Sequence, residues 1–117
     1  MSIQRIETNA RMSQVVVHNG VAYLSGQVGS DPDGDVKAQT AQTLEKIDRL
    51  LTLAGSDRSN VLGANIWLTD ITTGFADMNE AWEAWVPEGA APARATVQSR
   101  LASDQWKVEI MVWAAAD

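Results

Sequence analysis

The sequence predicts an α+β domain in which a mixed β-sheet carries two helices packed on one face. Three observations point there. Short β-branched and aliphatic runs recur along the chain, two of them flanking the turn dipeptide Asn19-Gly20. Two segments carry apolar residues at three- and four-residue spacing, the mark of amphipathic helices. Strand and helix then alternate, and right-handed strand–helix–strand connections put both helices on the same side of one sheet.

Taken in order, Ile3–Glu7 is a candidate first strand. Residues 12–27, "MSQVVVHNGVAYLSGQ", read as a β-hairpin closed at Asn19-Gly20, a pair suited to a tight primed turn. The acidic "SDPDGD" at 30–35 is a loop ending at Asp35, whose side chain can cap a helix start. Leu44, Ile47, Leu51 and Ala54 mark an amphipathic helix over 36–54, stopped by Gly55. "VLGANIWL" at 61–68 reads as a buried strand. Ile71, Phe75, Met78, Trp82 and Trp85 fall on one stripe, which predicts a second helix with that stripe in the core, ended by Pro87 and Gly89. Strands at 95–101 and 108–115 complete the order β-β-β-α-β-α-β-β. Residues 1–117 thus read as a single domain, with no interdomain linker.

Composition narrows the function. The chain has 117 residues, enough for one core, with 45% apolar and 21% charged. No stretch approaches a membrane span, and the opening "MSIQRIETNARM" lacks a signal-peptide apolar region, so a soluble cytoplasmic protein is expected. Without cysteine there is no disulfide framework or thiolate chemistry. A net charge of −6, with nine scattered basic residues, argues against nucleic acid as a partner. His18, the only histidine, is expected exposed in the hairpin turn and cannot head a metal site. Ser25, beside Gly26, has no base placed to make it a nucleophile.

The strand at 108–115 is apolar on both sides apart from Glu109, and Trp67 and Trp113 join the face that the helices leave bare. A monomer would expose that face as a large apolar patch, so an oligomer packed through the sheet is expected. Glu109 itself needs a reason, because carboxylates are seldom placed in such company without a partner. Its plain alternative is a structural ion pair with Arg100 or Lys107 across an interface. Arg94 is the tempting counter-charge within the chain. In a hairpin, however, Arg94 would lie opposite residue 114 or so, about 17 Å along the strand from Glu109. A third strand between them would separate them further. Two subunits packed through their sheets could bring them to one site.

The segments "YLSGQV" at 23–28, "AGSDRSNVLGANIWLTD" at 54–70, "FADMNEAWEAW" at 75–85 and "PARATV…KVEI" at 92–110 resemble the RidA (YjgF) family of enamine/imine deaminases over almost the whole chain. The opening "RIETNARMS" is similar to the YoaB-like branch. The resemblance implies a chorismate-mutase-like subunit, a homotrimer with three intersubunit clefts, and hydrolysis of short-lived 2-imino acids to 2-keto acids and ammonia. It implies that Arg94 grips the substrate carboxylate, a task that suits a guanidinium fork better than an ammonium. Glu109 would activate the attacking water, its pKa raised by burial among Val108, Ile110 and Met111. Backbone groups around Ser25-Gly26 and Thr96 would line the pocket, Asn79 would contribute a polar group, and no metal or organic cofactor is implied. The family's usual pocket cysteine corresponds to Thr96, and an aromatic position, usually tyrosine, to Met12. The rival expectation is a non-catalytic trimer that binds small carboxylates or regulates through them. That rival needs Arg94 but no catalyst at Glu109.

Overall fold

The computed structural model describes residues 2–116. Its elements are β1 (Gln4–Thr8), β2 (Ser13–His18), β3 (Val21–Leu24), α1 (Val36–Leu53), a 3₁₀ turn (Arg58–Asn60), β4 (Val61–Leu68), α2 (Ile71–Trp85), β5 (Ala93–Gln98) and β6 (Val108–Ala115). One six-stranded sheet runs β1-β2-β3-β6-β4-β5. Only the β4–β5 pair is parallel, joined through α2; the other neighbours are antiparallel. The expected α+β fold, a mixed sheet with two helices on one face, is what the chain adopts. Among the described residues no helix is long and apolar enough to cross a membrane.

Local chemistry explains most boundaries. Asn19 and Gly20 both take positive φ, 52° and 75°, as a primed turn requires of its two central residues. Asp35 caps α1 by accepting from the Ala38 amide at 2.8 Å, and Asp70 caps α2 by accepting from the Thr72 and Thr73 amides. Gly55, at φ +77°, follows the end of α1. The helices bury Leu44, Ile47, Leu50, Leu51 and Met78 against Val108, Ile110, Val112, Ile66 and Leu68 of the central strands. Full burial of each such side chain is worth about 1.5–3 kcal/mol.

Gln39 is fully buried and ties two loops to α1. Its amide nitrogen reaches the carbonyls of Pro32, Gly34 and Gln105, while its oxygen accepts from the Lys107 amide at 2.8 Å. The acidic loop and the β5–β6 connection are therefore fastened to one side chain.

Three expectations need correction. β5 occupies Ala93–Gln98 rather than 95–101, because its extent is set by pairing along β4, from Gly63↔Ala93 to Leu68↔Gln98. Phe75 is not core: it is 41% exposed, with Arg94 of edge strand β5 rather than the sheet interior against its ring. His18 ends β2 half-buried, with Nδ1 3.1 Å from the Ser2 carbonyl oxygen, rather than standing free in the turn.

The face away from the helices is largely apolar. Transverse rows run Ala93–Gly63–Trp113–Tyr23–Val16, Ala95–Asn65–Met111 and Val97–Trp67–Glu109. Tyr23 is 47% and Val97 49% exposed. Trp113 lies directly over Gly63, where a Cβ would sit 2.2 Å from its Cζ2. The expected placement of Trp67 and Trp113 on the bare face agrees with this register.

Candidate functional site

The register divides the expected site residues into two groups. Arg94 pairs with Ala64 of β4, and Ala64 with Val112 of β6. Val112 and Glu109 are three residues apart, and side chains an odd number apart on a strand point to opposite faces. Arg94 therefore projects on the helix side and Glu109 on the bare side. β4 also lies between their strands, about 10 Å across and about 10 Å along the sheet.

The helix-side group is Arg94, Thr96 and Asn79. Edge strand β5 presents Arg94 to α2, where its Nη1 donates to Asn79 Oδ1 at 2.7 Å. The guanidinium carbon stands 5.6 Å from the Trp82 ring centre and 5.9 Å from that of Phe75. Phe75, Asn79 and Trp82 recur at four- and three-residue steps and so share one flank of α2. Cation–π attraction and the amide fix the fork, and no carboxylate among the described residues pairs with it. Its remaining donors can meet an incoming anion without breaking an internal salt bridge. Thr96, two residues on and facing the same way, has a buried hydroxyl with no hydrogen-bond partner among the described residues.

The bare-side group is Glu109, Ser25 and Gly26. Residues 25–27 are held beside β6 by reciprocal amide–carbonyl bonds between Gln27 and Ile110, at 2.8 and 3.0 Å. The Ser25 hydroxyl donates to the Ser13 carbonyl at 2.6 Å, and the Gln27 amide donates to Gln14 Oε1 and to the Ser25 carbonyl. This packing brings Gly26 so close to Glu109 that a Cβ there would lie 2.2 Å from Oε2. Trp67 is the direct cross-strand neighbour on the other flank. Burial pushes the Glu109 carboxyl above its ordinary pKa. No ion pair offsets that within the described chain: Lys107 Nζ donates to the Gly34 carbonyl, and the exposed Arg100 lies 3.9 Å from Asp104.

The structure thus assembles Asn79, Arg94 and Thr96 in one place and Ser25, Gly26 and Glu109 in another. It does not join the two within a protomer. Two concavities of about 280 and 290 Å³ lie elsewhere, one beside Asp35, Asp70 and Lys107, the other between the helices at Asp48, Ala81 and Trp85; neither includes Arg94 or Glu109. Among the described residues, no three His, Cys, Asp or Glu side chains converge as a metal site. Sequence reasoning missed Phe75 and Trp82 as the platform under Arg94. The i, i+4, i+7 relation to Asn79 was the available signal, but it was indistinguishable from a core stripe.

The family model described as endoribonuclease L-PSP matches residues 2–116. The chain is similar to the RutC family protein YoaB of Escherichia coli, 48% identical over 115 residues that cover 98% of this chain and 99% of that one. It is similar to a RutC family protein of Haemophilus influenzae, 44% identical and covering 97% and 98%. A crystal structure of a YjgF-family protein from Neisseria meningitidis superposes with a TM-score of 0.95 at 43% identity, covering 100% of this chain and 97% of that one. The chain belongs to the RidA (YjgF) family, in the branch that includes YoaB.

Proposed function

We propose that the protein is a cytoplasmic, cofactor-free hydrolase that converts reactive 2-imino acids, and the enamines in equilibrium with them, to 2-keto acids and ammonia. It works as a homotrimer packed through the bare sheet faces, with each site lying in a cleft between protomers. Arg94 of one protomer holds the substrate carboxylate, steadied by Asn79. Glu109 of the neighbour takes a proton from water as the water oxygen bonds to the imine carbon. That proton passes to nitrogen, giving a carbinolamine. The hydroxyl proton then passes through Glu109 to the same nitrogen as the carbon–nitrogen bond breaks, so that ammonia leaves and the carbonyl forms. Ser25, Gly26 and Thr96 line the cleft. The observation that carries this reading is the presence of a guanidinium with no carboxylate partner and an unpaired, partly desolvated carboxylate on opposite faces of one sheet. A net charge of −6 disfavours the ribonucleolytic activity named in the family model's description.

The test couples an amino-acid oxidase to the protein and follows imine decay. Wild type should accelerate decay, whereas Arg94→Ala and Glu109→Gln should each leave the uncatalysed rate. Mixed and reassembled in equal amounts, the two variants should recover about a quarter of wild-type activity, since half the protomers carry each intact group. No acceleration by wild type would favour the binding module. No recovery on mixing would mean that one protomer supplies both groups.

A further inference from the structure

The bare-side row Val97–Trp67–Glu109 has a consequence for substrate choice. Trp67 sits directly opposite Glu109 on the antiparallel neighbour β4, a relation that brings Cβ atoms within about 5 Å. Val97 continues the row on β5 and is 49% exposed. On its other flank the Glu109 carboxylate is closed in by Gly26, where even one added methyl would collide with it. Across the strands, the apolar surface next to the carboxylate is therefore that of Trp67 and Val97, on the flank opposite Gly26. Trp67 is half-buried, so part of its ring remains available.

Resting on the deaminase reading, we infer that Trp67 is the specificity-determining residue of the site: its indole is the wall against which the substrate side chain lies, so branched and aromatic 2-imino acids are preferred to the alanine-derived one. Each methylene buried on such a wall is worth about fourfold in affinity. A leucine-derived side chain, three carbons larger than methyl, should gain at least about tenfold after incomplete burial is allowed for.

Binding of the product 2-keto acids tests this separately from turnover. Titration calorimetry with pyruvate, 4-methyl-2-oxopentanoate and phenylpyruvate is run on wild type, Trp67→Phe and Trp67→Ala, with the imine assay and size-exclusion chromatography alongside. Wild type should bind the two larger acids at least tenfold tighter than pyruvate. Trp67→Ala should compress that ratio to within about threefold by weakening the two larger acids far more than pyruvate, with the assembly intact, and Trp67→Phe should fall between. An undiscriminating wild type, an equal loss for all three acids, or dissociation of both variants into protomers would overturn the assignment. Discrimination by binding without imine turnover would sink the deaminase reading and leave Trp67 in place. Turnover without discrimination would do the reverse.

Discussion

Gly26→Ala separates the position of the Glu109 carboxylate from the stability of the fold. Gly26 does not have positive φ, so alanine suits its backbone and the effect is steric. The added Cβ would lie 2.2 Å from Glu109 Oε2, 3.0 Å from Cδ and 3.3 Å from Cγ. Regaining ordinary contact requires the carboxylate to move by about 1 Å. Because it is the far end of a flexible side chain, the cost in stability should stay below about 1 kcal/mol. Catalysis is less forgiving, since a 1 Å misplacement of a reacting group costs about a hundredfold, or about 2.7 kcal/mol of barrier. The expected result is kcat/KM for imine hydrolysis down about a hundredfold, with the urea midpoint and 2-keto acid affinity near wild type. Turnover within threefold of wild type would refute the claim that this carboxylate position matters. Loss of folding would show the close approach to be structural.

Asn79→Asp builds a carboxylate 2.7 Å from Arg94 Nη1, so an internal ion pair should compete with substrate and raise KM at least tenfold with a smaller change in kcat. Gln39→Ala removes the shared anchor of two loops and should cost about 3 kcal/mol in chemical denaturation. Gly63→Ala drives a Cβ into the Trp113 indole, which, unlike a carboxylate, cannot swing aside cheaply; about 1–3 kcal/mol of destabilisation and altered tryptophan fluorescence are expected. For Glu109, a raised folded-state pKa means that the folded chain keeps a proton in a window where the unfolded chain has lost it, so stability falls as pH rises through that window. Glu109→Gln should therefore melt higher than wild type at pH 7, with the gap closing below about pH 4; a lower melting temperature at pH 7 would mean that Glu109 is held in a structural ion pair.

What could be read in the chain was what local chemistry dictates. Asn19-Gly20, the Asp35 cap and the stop at Gly55 act within a few residues, and the predicted elements end within a residue or two of those marks. The boundaries of β5 are different in kind, because β4 decides them through a pairing across the whole of α2. Phe75 shows the limit of periodicity. It specifies which flank of α2 a residue occupies, not whether the sheet extends far enough to cover it, and near the edge the cover is Arg94. The two charged residues stood out by type and surroundings. Their assignment to opposite faces depends on counting register through β4, and no spacing along the sequence contains that count.

That register also links assembly to chemistry. Sliding β5 by one residue would bring Arg94 to the bare face with Glu109, but it would also turn Thr96 and Gln98 away from the helix side, where the Gln98 side chain accepts from the first amide of α2. Sliding β6 instead would expose Val108, Ile110 and Val112, all fully buried, at about 1.5–3 kcal/mol each. Either route to a one-protomer site removes support from the fold. On the proposed reading, a second copy supplies the missing group and covers the apolar rows around Trp113 and Tyr23 at the same time. Association is then favoured by the surface that most needs covering, and specific activity should fall on dilution in step with dissociation of the assembly.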